Sequence, residues 1–240
     1  METNQLSGKV AYITGGSKGI GYGIAKALLG QGMNVAISGR NLSSVSEASK
    51  KLSTDESRIL AVESDVSHGL PEKNAIDQVI KKFGKLDLLV ANAGVGHFAP
   101  IDELSEAQWH ETINTNLSGV FHSVKAAIEP LKKSKGYIIT IASLAGTNFF
   151  ENGAAYNASK FGLVGFSQAI MLDLRKYDIK VSTIMPGSVT SHFNGHEPSA
   201  ADAWKIQPED IGELVVDLMK MNPRTLPSKI EVRPSSPAKG

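Results

Sequence analysis

The stretch KVAYITGGSKGIGYGIAKALLG, residues 9–30, decides the fold. Residues 9–14 are an apolar run without polar alternation, the mark of a strand covered on both faces. Residues 19–30 change to helical periodicity, and a glycine-rich turn joins the two. Outward from this unit the alternation repeats. NVAIS (34–38), RILAVES (58–64), LDLLVAN (86–92), YIITIAS (137–143), KVSTIM (180–185) and KIEVR (229–233) read as strands rich in Val and Ile. Helical stretches lie at 43–53, 71–84, 105–133, 154–177 and 208–221, with Pro130 expected to kink or close the last turn of 105–133. Seven strands alternating with six helices predict an α/β fold. It is a doubly wound parallel sheet with helices on both faces, one domain over residues 1–240. Ligands in such a sheet sit at the carboxyl ends of the strands. Chemistry is therefore expected just after residues 14, 38, 64, 91, 142 and 185.

Composition narrows the function classes. The chain has 240 residues, 41% hydrophobic and 20% charged, with a net charge of +1. That balance argues against bulk nucleic-acid binding, which needs an excess of cations facing phosphates. The absence of cysteine removes disulfides, thiolate zinc sites, iron–sulfur clusters and cysteine nucleophiles. No apolar run approaches the roughly 18–20 residues of a membrane span. The polar opening METNQLSG has no signal-peptide pattern, so a soluble, cytoplasmic protein is expected. Residues 188–207 are irregular and polar, long enough to expect a substrate loop, and 234–240 read as a flexible tail.

Thr14-Gly15-Gly16-Ser17-Lys18-Gly19-Ile20-Gly21 joins the first strand to its helix. Glycines let backbone approach a diphosphate, and the N–H groups and dipole of the following helix favour its charge. The spacing is G-x-x-x-G-x-G, and a tight turn without a ligand stays open as the plainer reading. The same residues spell the G-x-S-x-G of a hydrolase nucleophile elbow, but only 14 residues precede Gly15, too few for an oxyanion loop from an earlier strand. The second strand ends Ser38-Gly39-Arg40-Asn41, with no carboxylate until Glu47. A ribose hydroxyl would favour an acid there. Arg40, helped by Lys18, suits a 2′-phosphate instead, so NADP(H) is expected over NAD(H).

Further motifs follow in order. Asp65-Val66 comes after the third strand and Asn92-Ala93-Gly94 after the fourth. Asn116 lies in INTNLSG, Ser143 in IASLAG, and Tyr156-Asn157-Ala158-Ser159-Lys160 on a helix. Pro186-Gly187 comes after the sixth strand. With the glycine turn, this series resembles the short-chain dehydrogenase/reductase family over nearly the whole chain, closest to 3-oxoacyl-acyl-carrier-protein reductases. The resemblance implies a Rossmann fold and a catalytic set of Asn116, Ser143, Tyr156 and Lys160. It implies that Asn116 holds a water on a proton relay with Lys160, and that Lys160 also bonds the nicotinamide ribose. Gly15, Ser17, Lys18, Gly19, Ile20 and Gly21 would hold the diphosphate, and Asp65 and Val66 the adenine. Asn92, Ala93 and Gly94 would line the adenine ribose and the approach to the pyrophosphate. Pro186, Gly187, Val189 and Thr190 would meet the nicotinamide end.

The chemistry is also readable without the resemblance. Tyr156 and Lys160 are one helical turn apart, about 5–6 Å at Cβ. Lowering a phenol from about 10 toward ~7 requires about 4 kcal/mol of differential interaction. An ammonium ~4 Å away at an effective dielectric of ~20 supplies about that much. Tyr156 is thus expected to be a general acid or base near neutrality, with Ser143 bonding the substrate oxygen. An NADPH-dependent carbonyl reductase follows as the expected activity. An NAD-linked alcohol dehydrogenase or a non-catalytic NADP sensor are the alternatives. His97, Phe98, Leu144, Thr147, Phe149, Phe150, Asn152, His192 and Phe193 are candidate pocket walls for an apolar small-molecule substrate. His192 and His196 have no third ligand in sight, so no metal is expected. A homodimer or homotetramer through helices 105–133 and 154–177 is expected. Lys132, Lys133 and Lys135 are either a patch for an acyl-carrier protein or a solvated helix end.

Overall fold

The computed structural model describes residues 5–236. In chain order the elements are β1 (Val10–Thr14), α1 (Gly19–Gly30), β2 (Asn34–Gly39), α2 (Leu42–Leu52), β3 (Ile59–Glu63), α3 (Gly69–Phe83) and β4 (Leu88–Ala91). There follow α4 (Glu106–Ile113), α5 (Gly119–Ser134), β5 (Tyr137–Ile141), α6 (Ala154–Leu174), β6 (Lys180–Pro186), α7 (Pro208–Lys220) and β7 (Lys229–Val232). The strands form one sheet in the order β3-β2-β1-β4-β5-β6-β7, every pair parallel. The expected fold class is therefore the observed one.

Strand periodicity divides the core. Ala11, Ile13, Val35, Ile37, Leu88 and Val90 point to one face, where α1, α2 and α7 pack. Val10, Tyr12, Ala36, Leu89 and Ala91 point to the other, against α3, α5 and α6. Both faces of every central strand are thus buried, which is why those segments lack polar alternation. Winding reverses between β1 and β4, and such a switch opens a crevice at the carboxyl ends of the strands.

One expectation is corrected. The helix expected over 105–133 is split by a π-turn at Asn114–Ser118, giving seven α-helices among the described residues where six were read. Its apolar pattern runs through the break, so periodicity carries no sign of it. Pro130 lies inside α5, which ends one turn later at Ser134. Residues 188–207 are irregular as expected but tied at their base by a parallel bridge between Val189 and Ile206. Of the expected tail, 237–240 lie outside the described residues. Among the described residues no helix is long and apolar enough to cross a membrane.

A buried polar group joins β1, β2, β3 and α3 beneath the crevice. The Tyr12 hydroxyl lies 3.0 Å from both Ser38 Oγ and Glu72 Oε1, and Ser64 donates to the same Glu72 oxygen at 2.6 Å. Burial first, then the charge of Glu72, raises the Tyr12 phenol well above 10, so it stays a donor. Glu72→Ala takes the carboxylate acceptor from two buried hydroxyls, leaving Tyr12 with Ser38, and should cost about 1–3 kcal/mol. Urea unfolding checks this, since the midpoint should fall, and an unmoved midpoint would show that the carboxylate holds nothing.

Candidate active site

The crevice begins at the glycine turn. Gly15 has φ +66, and a Cβ there would stand 2.9 Å from Ala93 Cα, so only glycine fits. The turn is held from two sides. Gly16 N–H donates to Ser38 O at 3.0 Å. Asn92 Nδ2 donates to Thr14 O at 2.9 Å and Gly15 O at 3.1 Å. Thr14 Oγ1 accepts from the N–H groups of Asn92 and Ala93. The Asn92 amide nitrogen is therefore engaged in shaping the turn. Lys18 is the N-cap of α1, makes no side-chain cap, and no acid lies in the first turn. Gly19, Ile20 and Gly21 thus present a helix N-terminus that no carboxylate neutralises, which fits a diphosphate. Ser17 lies beside Gly39 at the end of β2.

Arg40, just past β2, reaches across the crevice. Its Nη1 lies 3.4 Å from Glu111 Oε1 on α4, and Glu111 Oε2 lies 2.8 Å from His97 Nε2. After β3, Asp65 accepts from Ser67 N–H at 3.0 Å and from its hydroxyl at 2.7 Å. Val66 is buried and its carbonyl meets His122 Nδ1 at 2.9 Å. After β6, Gly187 N–H donates to Val232 O, and Thr190 N–H to Ile206 O. Pro186, Gly187, Val189 and Thr190 thus form the root of the 188–207 loop.

Ser143 follows β5, and Tyr156 and Lys160 lie on α6. Ser143 Oγ accepts from Ala145 N–H at 3.1 Å and lies 3.5 Å from Pro186 O. Lys160 Nζ donates to Ile141 O at 3.1 Å and lies 5.6 Å from the Tyr156 ring centroid. A Cβ on Gly94 would stand 3.3 Å from Asn116 Oδ1 and 3.8 Å from Lys160 Nζ, so glycine keeps this corner open. Asn116 is fully buried in the π-turn. Its Oδ1 accepts from Val95 N–H, and its Nδ2 donates to Val95 O and Ser159 Oγ. Both amide hydrogens are taken, so the side chain holds the backbone after β4 in place beside Lys160.

Electrostatics correct one expectation. Burial pushes the Tyr156 phenol up to about 12, opposed by a hydrogen bond with Ser143. Burial pushes the Lys160 ammonium down to about 8. Desolvation, not the ammonium, dominates at the phenol, so the pair alone does not bring it toward neutrality.

Aromatic rings enclose Tyr156. Phe98 and Phe193 have ring centroids 5.4 and 5.6 Å from it, and Phe150 lies 5.9 Å from Phe98. Phe149 does not join them, being 83% exposed and stacked on Phe161. Leu144 approaches Gly187, Thr147 bonds Leu144 O and Asn152 O accepts from Ala99 N–H. His192 and His196 take separate carboxylates, Glu197 at 3.6 Å and Asp202 at 2.7 Å. Lys132 pairs with Glu129 and Lys135 with Asp178.

Three contributors escaped the sequence reading. Glu111 bridges Arg40 and His97 across 71 and 14 positions. Asn157 Nδ2 donates to Ala145 O and Asn148 O, both at 2.8 Å, and fixes the loop after Ser143. The Ile141 carbonyl orients Lys160. Asn157 lies inside the Tyr-x-x-x-Lys motif, the one usable signal; a pairing across the crevice or a backbone oxygen leaves none.

A helix N-terminus, a phenol, an amine and a serine hydroxyl thus converge at one sheet edge. They can hold a diphosphate and move a proton at an oxygen beside an apolar wall. A family model described as short chain dehydrogenase matches residues 9–202. The chain is 30% identical over 232 residues to an uncharacterized oxidoreductase of Staphylococcus saprophyticus, covering 96% of this chain and 99% of that one. It is similar in structure to an alcohol dehydrogenase from the archaeon Thermococcus sibiricus complexed with 5-hydroxy-NADP. That match has a TM-score of 0.89 and 29% identity, over 95% of this chain and 97% of the other. A 3-ketoacyl-(acyl-carrier-protein) reductase from Brucella melitensis complexed with NADH gives a TM-score of 0.87 and 25% identity, over 96% and 99%. Matched by that model over most of its length, the chain belongs to the short chain dehydrogenase family of oxidoreductases.

Proposed function

We propose that this protein is an NADPH-dependent carbonyl reductase that interconverts a ketone or aldehyde with an alcohol. The observation that carries this reading is the convergence of Ser143, Tyr156 and Lys160 beside an uncapped, acid-free helix N-terminus. The turn from Gly15 to Gly21 would hold the diphosphate. Arg40 and Lys18 would take the 2′-phosphate, with Asp65, Val66, Ala93 and Gly94 on the adenosine side. Pro186, Gly187, Val189 and Thr190 would meet the nicotinamide end, and Lys160 the adjoining ribose. NADPH supplies the hydride that the carbonyl carbon receives.

Tyr156 gives a proton to the carbonyl oxygen during reduction and removes it during oxidation. Ser143 donates a hydrogen bond to the same oxygen and stabilises its developing charge. Asn116 positions the Gly94–Val95 backbone against Lys160. Phe98, Phe150 and Phe193 favour an apolar substrate body, 3-oxoacyl thioesters among the candidates, and residues 188–207 act as the substrate loop. Exposed Phe121 on α5, with Phe161 and Leu172 on α6, supports pairing of these helices with a second copy.

Tyr156→Phe should abolish NADPH-dependent reduction of a dicarbonyl while leaving NADPH binding nearly intact, as read by steady-state rates and cofactor fluorescence. Substantial remaining kcat would reject the mechanism. Arg40→Ala should raise KM for NADPH about tenfold or more while leaving that for NADH nearly unchanged, since charged hydrogen bonds contribute about 1.5–3 kcal/mol. With the phenol near 12, Tyr156 is protonated and ready to donate throughout the neutral range. Reduction kcat/KM should therefore stay level from about pH 6 to about pH 8, while oxidation kcat/KM should climb with pH as the phenolate fraction grows. A fall in oxidation with rising pH would contradict Tyr156 as the base.

A further inference from the structure

We propose that Glu111 is a specificity-determining residue that limits the preference for NADPH by competing with the 2′-phosphate for Arg40. The inference rests on the reading above that Arg40 receives that phosphate. The two residues come from opposite walls of the crevice, Arg40 from the end of β2 and Glu111 from α4. They are joined at 3.4 Å. Neither is buried, with side chains 65% and 42% exposed, so an incoming anion can reach the guanidinium. Lys18, the other cation expected there, is exposed and has no carboxylate partner in the first turn of α1.

Glu111 is held in place and held ionised. Its second oxygen lies 2.8 Å from His97 Nε2. That hydrogen bond foremost, with the charges of His97 and Arg40, keeps the Glu111 carboxyl below its ordinary range against the opposing effect of burial. Asp65 also feels the Arg40 charge, but its Oδ1 accepts from Ser67 and its Oδ2 lies 3.9 Å from His68 Nδ1. Glu111 is thus the carboxylate in direct contact with Arg40.

A phosphate and a carboxylate ask for the same donors. To bind Arg40, a 2′-phosphate must take the guanidinium from Glu111 and then sit beside a like charge, which is unfavourable. A 2′-hydroxyl carries no charge and can donate to a carboxylate, so NADH meets no such competition. Exposed ion pairs contribute up to about 1 kcal/mol, roughly a fivefold change in affinity. Glu111 therefore moderates the NADPH preference and does not reverse it.

The test is Glu111→Gln, which keeps the size and a carbonyl acceptor for Arg40 while removing the charge. Kd for NADPH and for NADH is measured by cofactor fluorescence in the wild type, Glu111→Gln, Arg40→Ala and the double variant. Glu111→Gln should tighten NADPH roughly three- to fivefold and leave NADH unchanged or slightly weaker. In the Arg40→Ala background the same substitution should no longer shift the NADPH-to-NADH ratio. An unchanged ratio in Glu111→Gln, or weaker NADPH binding, overturns the proposal, the latter by showing that Glu111 presents Arg40 to the phosphate. A gain that persists without Arg40 also overturns it, as a general charge effect. If Arg40→Ala itself leaves the ratio untouched, the reading of Arg40 as the phosphate ligand fails. If Arg40→Ala abolishes the preference while Glu111→Gln does not move it, Arg40 stands and only the role of Glu111 falls.

Discussion

Burial of an amine one helical turn from a phenol is the constraint on which the site depends. Lys160 is almost wholly buried, and its cation is met by the Ile141 carbonyl at 3.1 Å. A neutral acceptor offsets only part of the lost hydration. Depression of the ammonium from 10.5 to about 8 corresponds to roughly 3 kcal/mol of penalty on the charged form. The fold tolerates that penalty because the strand ends around Lys160 are otherwise satisfied. The Asn116 amide, the Thr14 hydroxyl and the Asn92 amide are each tied to backbone. The same burial raises the phenol, so Tyr156 is held as a proton donor and becomes an easy base only when further positive charge reaches the crevice. An oxidised nicotinamide is the group in the proposed reaction that carries such charge.

The architecture was legible because local and global signals agree. Doubly buried strands cannot alternate, and each helix between them shows its own apolar stripe. The glycine turn announced itself by composition, and the strand-end motifs stood at carboxyl ends that the parallel sheet gathers on one side. The break at Asn114–Ser118 was not legible, because a π-turn adds one residue to a turn without disturbing the polar and apolar order around it. The sense of the phenol's shift was also illegible, since sequence spacing gives a distance along a helix but not the desolvation of either group.

Roles moved for a related reason. Asn92 and Asn116 read as ligand-facing groups because each stands at a strand end or beside the reacting residues. Packing ties their side-chain amides to backbone as well, at Thr14 and Gly15 and at Val95. An amide buried against free backbone groups gains more by satisfying them than by waiting for a ligand. Arg40 shows the converse. Its sequence neighbourhood lacks an acid, yet the topology delivers Glu111 from α4, so absence of a carboxylate nearby in sequence does not mean absence nearby in space.

The loop over the site obeys the same accounting. Asp202 is nearly buried and receives His196 at 2.7 Å, the Ser199 N–H at 3.0 Å and Lys205. Those hydrogen bonds, those of Lys205 and His196 foremost, hold its carboxyl far below the usual range. Gln207 adds donors to Thr190 Oγ1 and to the carbonyls of Asp202 and Lys205. Cross-tied within itself and bridged at Val189 and Ile206, the segment forms one tied body over its root. Phe193 rides on that body with its ring against Tyr156 and Phe98. Because that segment carries Phe193, the apolar wall beside the phenol is set by the ties that hold the loop as well as by the rings themselves.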